Sequence, residues 1–167
     1  SVIEFTKLSG ARTIVMDLNE KRLKFCNEKM GIRDTLQIRG DGSELETLKE
    51  WTDGVLPTVV IDATGSNKSM SNALNYVGFT GRLVFVGITT SEVSFGHPLM
   101  HRREMTLLAS RNSLPPDFTR IIQLIEEGRI DTAPWITHTA DFDHLIERFP
   151  EWLNPEAGVI KAVVQLP

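Results

Sequence analysis

Short apolar segments alternate with amphipathic segments along the first two thirds of the chain. The apolar segments are TIVMD (13–17), TLQIR (35–39), TVVIDATG (58–65), RLVFVGI (82–88) and MTLLAS (105–110). The amphipathic segments have helical spacing, and one of them places Leu23, Cys26 and Met30 on a single face. Strands that alternate with helices in this way predict an α/β fold with a parallel sheet.

Local signals indicate the ends of several helices. Gly10, Gly31 and Gly78 predict helix C-termini, because glycine readily adopts the left-handed conformation in which many helices end. Ser43 and Asn67 are the predicted N-caps, since the side chains of serine and asparagine accept hydrogen bonds from the first turn of a helix.

The character of the sequence changes near residue 113. A predicted helix begins after Pro115 and Pro116, since proline is favoured in the first turn of a helix. WITHTADF follows without an assigned element, and then a helix is predicted around FDHLIERFPEWL and a last strand at GVIKAVVQL. We therefore predict two parts, residues 1–112 and residues 113–167.

Composition excludes several classes of protein. The formal net charge is −4, so the chain has no basic excess with which to bind nucleic acid or an anionic membrane surface. No apolar run approaches the roughly 20 residues that a membrane-spanning helix needs. Cys26 is the only cysteine, which rules out a disulfide within the chain and leads us to expect a cytoplasmic protein.

The strongest functional signal is the acid that ends the strand in TIVMDLNEKR. Rossmann folds use an acid at this position to bind the hydroxyls of the adenosine ribose. Asp17 would accept those hydroxyls and repel a 2′-phosphate, which favours NAD over NADP, and Arg22 could flank the adenosine. The alternative is that Asp17 merely caps the next helix.

Two further strand ends carry small residues. Asp62 ends one strand and is followed by Ala63, Thr64 and Gly65, and Gly87 follows the next strand. Small residues let a ligand approach the backbone, and the carboxyl ends of parallel strands are where such sheets bind ligands. Ordinary tight turns between strands and helices would give the same pattern.

Two other motifs are weak. GDGSEL (40–45) begins like a phosphate-binding glycine loop, but its sixth residue is Leu45 and we interpret it as a plain loop. His97 and His101 are four residues apart and could share a helix face. Because no carboxylate or cysteine nearby in sequence completes a metal site, a surface pair is favoured.

The order of four segments resembles the zinc-dependent medium-chain dehydrogenases. These segments are ARTIVMDLNEKRL, VIDATG, LVFVGI and LASRNS. Within that family the chain looks like the polyol and sugar-acid branch, with its sorbitol-, galactitol- and galactonate-type dehydrogenases. The resemblance implies a Rossmann-like, doubly wound parallel sheet, followed by a segment that returns to the catalytic domain.

The resemblance also implies which residues bind NAD, and it makes none of them catalytic or metal-ligating. Asp17 would bind the adenosine ribose, with Arg22 beside the adenosine. The residues along the adenosine and ribose side would be Ala63, Thr64 and Ser66. Those at the nicotinamide end would be Val86, Gly87 and Ile88. Those near the nicotinamide and the domain cleft would be Ser110, Arg111 and Asn112.

The function implied for the intact enzyme is NAD-dependent oxidation of a secondary alcohol of a polyol, sugar acid or related small alcohol. The enzyme would use zinc and would be a homo-oligomer, either a dimer or a tetramer. The resemblance implies that the first strand of the sheet and the domain holding the zinc ligands precede Ser1. We therefore expect the chain to be inactive alone. The alternative is a non-catalytic nucleotide-binding or oligomerisation module that retains a partial Rossmann fold.

Overall fold

The computed structural model describes residues 1–167, which divide into two compact units. The first unit comprises residues 1–38 and 114–167, and the second comprises residues 39–113. This division groups residues 1–38 with the C-terminal segment, whereas the sequence predicts parts 1–112 and 113–167. The assignment of those parts to a nucleotide-binding and a catalytic domain stays a prediction.

Seven helices and seven strands form the two units. The helices are α1 (Val2–Leu8), α2 (Glu20–Met30), α3 (Ser43–Trp51), α4 (Asn67–Asn72), α5 (His97–Arg102), α6 (Pro115–Glu126) and α7 (Leu145–Trp152). The strands are β1 (Ile14–Asp17), β2 (Asp34–Gln37), β3 (Val59–Asp62), β4 (Arg82–Phe85), β5 (Thr106–Ala109), β6 (Ile136–Asp141) and β7 (Lys161–Gln165). Short 3-10 helices are formed by Ala73–Tyr76, Ala133–Trp135, Phe142–His144 and Pro155–Ala157.

Every strand pairing is parallel, which confirms the predicted α/β class. The second unit contains a three-stranded sheet in the order β3-β4-β5, and the first contains the pairs β1-β2 and β6-β7. The order β3-β4-β5, in which each parallel strand lies beside its successor, is the order found in one half of a doubly wound sheet.

Each unit has its own apolar core. In the second unit, residues of the 3-10 turn after α4 pack with Leu83 of β4 and Met105, and Leu99 and Met100 of α5 pack against this cluster. In the first unit, the predicted apolar face of α2 is buried: Cys26 and Met30 pack with Ile32, and Leu23 is also buried. The helical spacing thus predicted this buried face correctly.

Two predicted helix caps are wrong by one residue, and the reason is local hydrogen bonding. Ser43 is the first residue of α3 rather than its N-cap, and Asp41 Oδ1 accepts both the N–H and the hydroxyl of Ser43, at 3.0 and 2.6 Å. Asn67 is likewise inside α4, whose N-cap is Ser66, the acceptor for the Ser69 N–H. The predicted stop at Gly31 is confirmed by its φ of 69°.

Helix α6 begins at Pro115 itself rather than after the two prolines. Proline has no N–H, and the first turn of a helix leaves such groups without helical partners, so both prolines fit there. The Asp117 carboxylate accepts the backbone N–H of Leu114 at 2.8 Å and so closes this N-terminus.

Candidate functional site

Nine of the eleven predicted cofactor-binding residues follow the strands of the β3-β4-β5 sheet. Because these strands are parallel, their carboxyl ends lie at one edge of the sheet. The predicted residues occupy the segments 63–66, 86–88 and 110–112, each directly after one strand. The fold therefore brings these three short segments to the same edge, where parallel α/β sheets bind ligands.

The first of these segments is held by a buried carboxylate. Asp62 is only 5% exposed. Its Oδ1 accepts the Thr64 N–H at 2.9 Å and the Thr64 hydroxyl at 2.7 Å, and its Oδ2 accepts the Ser69 hydroxyl at 2.7 Å. The Thr64 hydroxyl in turn accepts the Ser66 N–H at 3.1 Å. This network fixes the turn and directs the Thr64 hydroxyl toward the protein.

Asp62 and Ser69 were not among the predicted site residues. A signal was present in the sequence, because an Asp followed two residues later by Thr is typical of a turn that closes on its own side chain. The hydrogen bond from Ser69 to Asp62 could not be predicted from the sequence in this way. The Ser69 hydroxyl reaches Asp62 only because the first turn of α4 begins at residue 67.

The second segment packs directly against the first. A Cβ added to Gly87 would lie 2.5 Å from the Gly65 nitrogen and 3.2 Å from the Ala63 carbonyl carbon. The close approach at Gly87 is thus made by the protein's own backbone. This explains the glycine without a ligand, although the prediction that Gly87 also lies beside a cofactor stays open.

The backbone N–H groups of the second segment, residues 86–88, differ in whether they have a hydrogen-bond acceptor within the chain. The N–H groups of Val86 and Gly87 both donate to the Asp62 carbonyl, at 2.9 and 3.0 Å. The Ile88 N–H has no partner within the chain, and its side chain is 82% exposed. Ile88 therefore offers both a free donor and an apolar surface at this edge.

In the third segment, residues 110–112, only Ser110 continues the backbone hydrogen bonding between β4 and β5. The Ser110 N–H donates to the Phe85 carbonyl at 2.9 Å, so Ser110 remains beside β4. Arg111 and Asn112 are exposed, and Asn112 has a φ of 62°, in the left-handed region. Both side chains are therefore accessible for other contacts.

In the first unit, Asp17 ends β1 as predicted. Its Oδ1 accepts the Asn19 N–H at 2.8 Å, and its Oδ2 lies 3.8 Å from the Arg22 guanidinium. The cap of α2 is Asn19, whose Oδ1 accepts the N–H groups of Lys21 and Arg22. The alternative that Asp17 itself caps the helix is therefore not what the structure contains.

The glycine-rich stretch GDGSEL forms a turn that contains a negatively charged side chain, Asp41. Gly40 and Gly42 have φ of 76° and 87°. Between them, Asp41 accepts the Ser43 N–H and hydroxyl, and the hydroxyl hydrogen bond is the main cause that lowers the pKa of the Asp41 carboxyl. A phosphate would meet this negative charge at the start of α3, which fits the interpretation as a plain loop.

No group of three or more His, Cys, Asp or Glu lies together in the chain in a way that could hold a metal ion.

A cleft of about 260 Å³ is present in the first unit, between α1 and α6. None of the predicted site residues lines this cleft. No helix has the length and apolar character needed to cross a membrane.

Near the start of α3, the second unit holds a buried acid beside the chain's only tyrosine. The Tyr76 hydroxyl donates to Glu44 Oε1 at 3.1 Å, and Glu44 Oε2, also buried, has no hydrogen-bond partner in the chain. Burial, followed by the charge of Glu44 and this hydrogen bond, raises the pKa of Tyr76 to about 12.

We expect the ultraviolet absorbance of tyrosinate to appear with a midpoint near pH 12 in the folded chain, instead of the usual 10. Since the unfolded tyrosine ionises near 10, its contribution to the free energy of unfolding is intact below pH 10 and is lost as pH rises toward 12. Glu44→Gln should lower the midpoint by removing the charge. A midpoint of 10 in the folded chain would contradict the buried geometry.

The parallel strand order and the ligand-suited edge define an α/β protein of the nucleotide-binding type. Comparison with known families makes this specific. Residues 1–127 match the family described as zinc-binding dehydrogenase, and the chain belongs to this family.

Relatives with established names are polyol and sugar-acid dehydrogenases. The chain is 32% identical over 160 residues to L-galactonate-5-dehydrogenase of Escherichia coli K12, a match that covers 95% of this chain and 46% of the relative. It is 30% identical over 156 residues to L-arabinitol 4-dehydrogenase of Hypocrea jecorina, covering 91% and 41%. The chain thus spans less than half the length of these relatives.

Solved structures show the same fold. An alcohol dehydrogenase from Escherichia coli CFT073, solved in complex with the cofactor NADH, superposes with a TM-score of 0.87 at 21% identity and covers 98% of this chain and 48% of that one. The 2R,3R-butanediol dehydrogenase of Bacillus subtilis gives a TM-score of 0.85 at 21% identity, covering 98% and 46%. The predicted Rossmann-like fold and family are confirmed.

Proposed function

We propose that the chain is part of an NAD-dependent, zinc-type oxidoreductase that oxidises a secondary alcohol of a polyol, sugar acid or related small alcohol. Family membership supports the reaction class. The relatives named for L-galactonate and L-arabinitol support the substrate class. As in our sequence interpretation, this protein is cytoplasmic and acts as a homo-oligomer.

The observation that carries the cofactor assignment is the carboxylate of Asp17. One oxygen is used by the Asn19 N–H, while Oδ2 has no hydrogen-bond donor in the chain. An ionised carboxylate oxygen accepts up to two hydrogen bonds, so Oδ2 is free for the ribose hydroxyls. A 2′-phosphate in the same place would be repelled, which favours NAD.

On the β3-β4-β5 sheet, the proposed contacts with the nicotinamide end follow from which groups are still free. NAD accepts the hydride from the alcohol when it is bound, and the protein orients its ring. The Ile88 N–H is the free donor of its segment and would bind the carboxamide. Exposed Val86 and Ile88 would cover the apolar face of the ring, with Arg111 and Asn112 beside it.

The residues of this chain do not form a catalytic zinc site with three protein ligands, because no set of three ligating side chains lies together. No zinc-dependent step is therefore assigned to them. We propose that the zinc ligands of the intact enzyme belong to residues outside this chain.

Exposed apolar residues support the proposal that residues 113–167 belong with a further, catalytic domain. They recur at helical spacing on two elements of this segment: Leu114, Phe118, Ile122 and Ile125 on and before α6, and Phe142, Ile146, Phe149 and Leu153 on and around α7. Ile146 is 88% exposed. Apolar stripes of this kind are typical of surfaces that pack against another element.

The test of the cofactor assignment is Asp17→Ala in the intact enzyme. We expect NAD to bind about 10- to 100-fold more weakly, since hydrogen bonds to a charged group contribute roughly 1.5–3 kcal/mol. The preference for NAD over NADP should fall as well, because the repelling charge is gone. Titration of both cofactors against the purified enzyme measures the two effects.

Asp131→Ala is the matched control. Asp131 lies in the same unit and accepts a backbone N–H two residues later, from Ala133 at 2.9 Å, just as Asp17 does from Asn19. It should leave both cofactor affinities unchanged. If Asp17→Ala also leaves NAD affinity and the preference over NADP unchanged, the ribose assignment is wrong.

A further inference from the structure

We propose that His97 and His101 form a two-ligand site for borderline divalent transition metals, Cu²⁺ and Ni²⁺ before Zn²⁺. The two side chains lie on one face of α5, four residues apart, with ring centroids 5.8 Å apart.

The spacing of the rings suits chelation. Metal–nitrogen bonds of about 2.1 Å place two imidazole rings roughly 5 Å apart when they share one tetrahedral ion. The observed 5.8 Å is within a small side-chain rotation of that separation. Histidines at positions i and i+4 of a helix are the arrangement by which H-E-x-x-H helices bind zinc.

The rings are also free to bind. Both residues are exposed, and neither ring makes a hydrogen bond or ion pair within the chain; their described interaction is with each other. Imidazole binds Cu²⁺, Ni²⁺ and Zn²⁺ in preference to Mg²⁺ or Ca²⁺, which take oxygen ligands. Water would complete the coordination, since no third ligating side chain joins the pair.

Helix α5 is short, yet it is held in place from two sides. Leu99 and Met100 pack against the core of the second unit. The guanidinium of Arg103, just after the helix, donates to the carbonyl of Val77 at 2.6 Å and to that of Asn75 at 3.2 Å. The backbone positions of the two histidines are therefore fixed before a metal arrives, which lowers the entropy cost of chelation.

The nearest charges along the chain do not favour a cation. Arg102 and Arg103 follow His101 with two positive charges against one negative charge on Glu104, and the Arg103 guanidinium donates to backbone carbonyls. The site is thus expected to bind metal through its two nitrogens rather than through a surrounding field.

The test is calorimetric titration of the tag-free chain with Cu²⁺ and separately with Ni²⁺. We expect one ion per chain, with tighter binding of Cu²⁺ than of Ni²⁺, as the general affinity order requires. His97→Ala and His101→Ala should each weaken binding by about 100-fold, because two linked contacts gain roughly 10²–10⁴ over one. Electron paramagnetic resonance of bound Cu²⁺ should report two nitrogen ligands, falling to one in either variant.

His144→Ala and His138→Ala are the matched controls. His144 lies 4.0 Å from the Asp141 carboxylate and His138 contacts Thr137, so each is a histidine without a second imidazole nearby. Both controls should bind Cu²⁺ like the unchanged chain. The proposal fails if either control loses the site, if the chain binds no Cu²⁺, or if both α5 variants keep full affinity.

Discussion

Replacing Asp62 with alanine is expected to lower the free energy of unfolding by about 2–4 kcal/mol. The change removes a buried carboxylate that accepts three hydrogen bonds, two from Thr64 and one from Ser69. Hydrogen bonds to charged groups contribute roughly 1.5–3 kcal/mol, and each partner left buried without an acceptor adds to the loss. Urea unfolding followed by circular dichroism measures the difference.

Two controls separate this network from a general effect of charge. Asp62→Asn keeps one oxygen acceptor in the same shape, so it should cost less than Asp62→Ala. Asp143→Ala removes an exposed carboxylate with no hydrogen bond of this kind and should change stability by less than about 0.5 kcal/mol. Equal effects of Asp62→Ala and Asp143→Ala would mean that the network around Thr64 does not hold the turn.

Gly87→Ala is the second large expected effect, a loss of about 1–3 kcal/mol in the free energy of unfolding. The new methyl group would lie 2.5 Å from the Gly65 nitrogen and 3.1 Å from its Cα, both backbone atoms that cannot rotate away. The two turns at the sheet edge must then move apart, which is the cost of overpacking. Thermal and urea unfolding of the variant measure it.

Gly96→Ala provides the comparison. A Cβ at Gly96 meets nothing within 4 Å, and its φ of −73° suits any residue. We expect this variant to change stability by less than about 0.5 kcal/mol, or to raise it slightly because alanine has less freedom in the unfolded chain. If Gly87→Ala is as mild as Gly96→Ala, the close packing of the two turns is wrong.

These two expectations bear on the proposed cofactor contacts. Asp62 and Gly87 fix the positions of Thr64 and of the Val86–Ile88 segment without needing to touch a ligand themselves. A loss of NAD affinity in Asp62→Ala or Gly87→Ala would therefore report a displaced edge. Asp17→Ala removes a partly exposed carboxylate and no buried network, so it is the cleaner test of direct contact.

Much of the fold was predictable because it depends on patterns that are local in the sequence. Apolar segments predicted β1 to β5 and β7, whereas no element was predicted at Ile136–Asp141. The spacing of Leu23, Cys26 and Met30 predicted the buried face of α2. Gly31 ended that helix as its lack of a side chain suggests. The predicted caps were wrong at Ser43, whose N–H and hydroxyl donate to Asp41, and at Asn67, where Ser66 accepts the Ser69 N–H instead.

The sequence by itself determined the α/β class, the family and the position of Asp17 at a strand end. These features depend on the apolar pattern of the strands and on the order of segments, and both can be read directly from the sequence. Only the tertiary structure decided what Gly87 and Asp62 do. Their partners lie across a turn or on another strand, and no local pattern encodes the 2.5 Å approach to Gly65 or the contact with Ser69. Likewise, the four-residue spacing of His97 and His101 suggested a shared helix face, but the separation of their rings depends on a helix held by core packing.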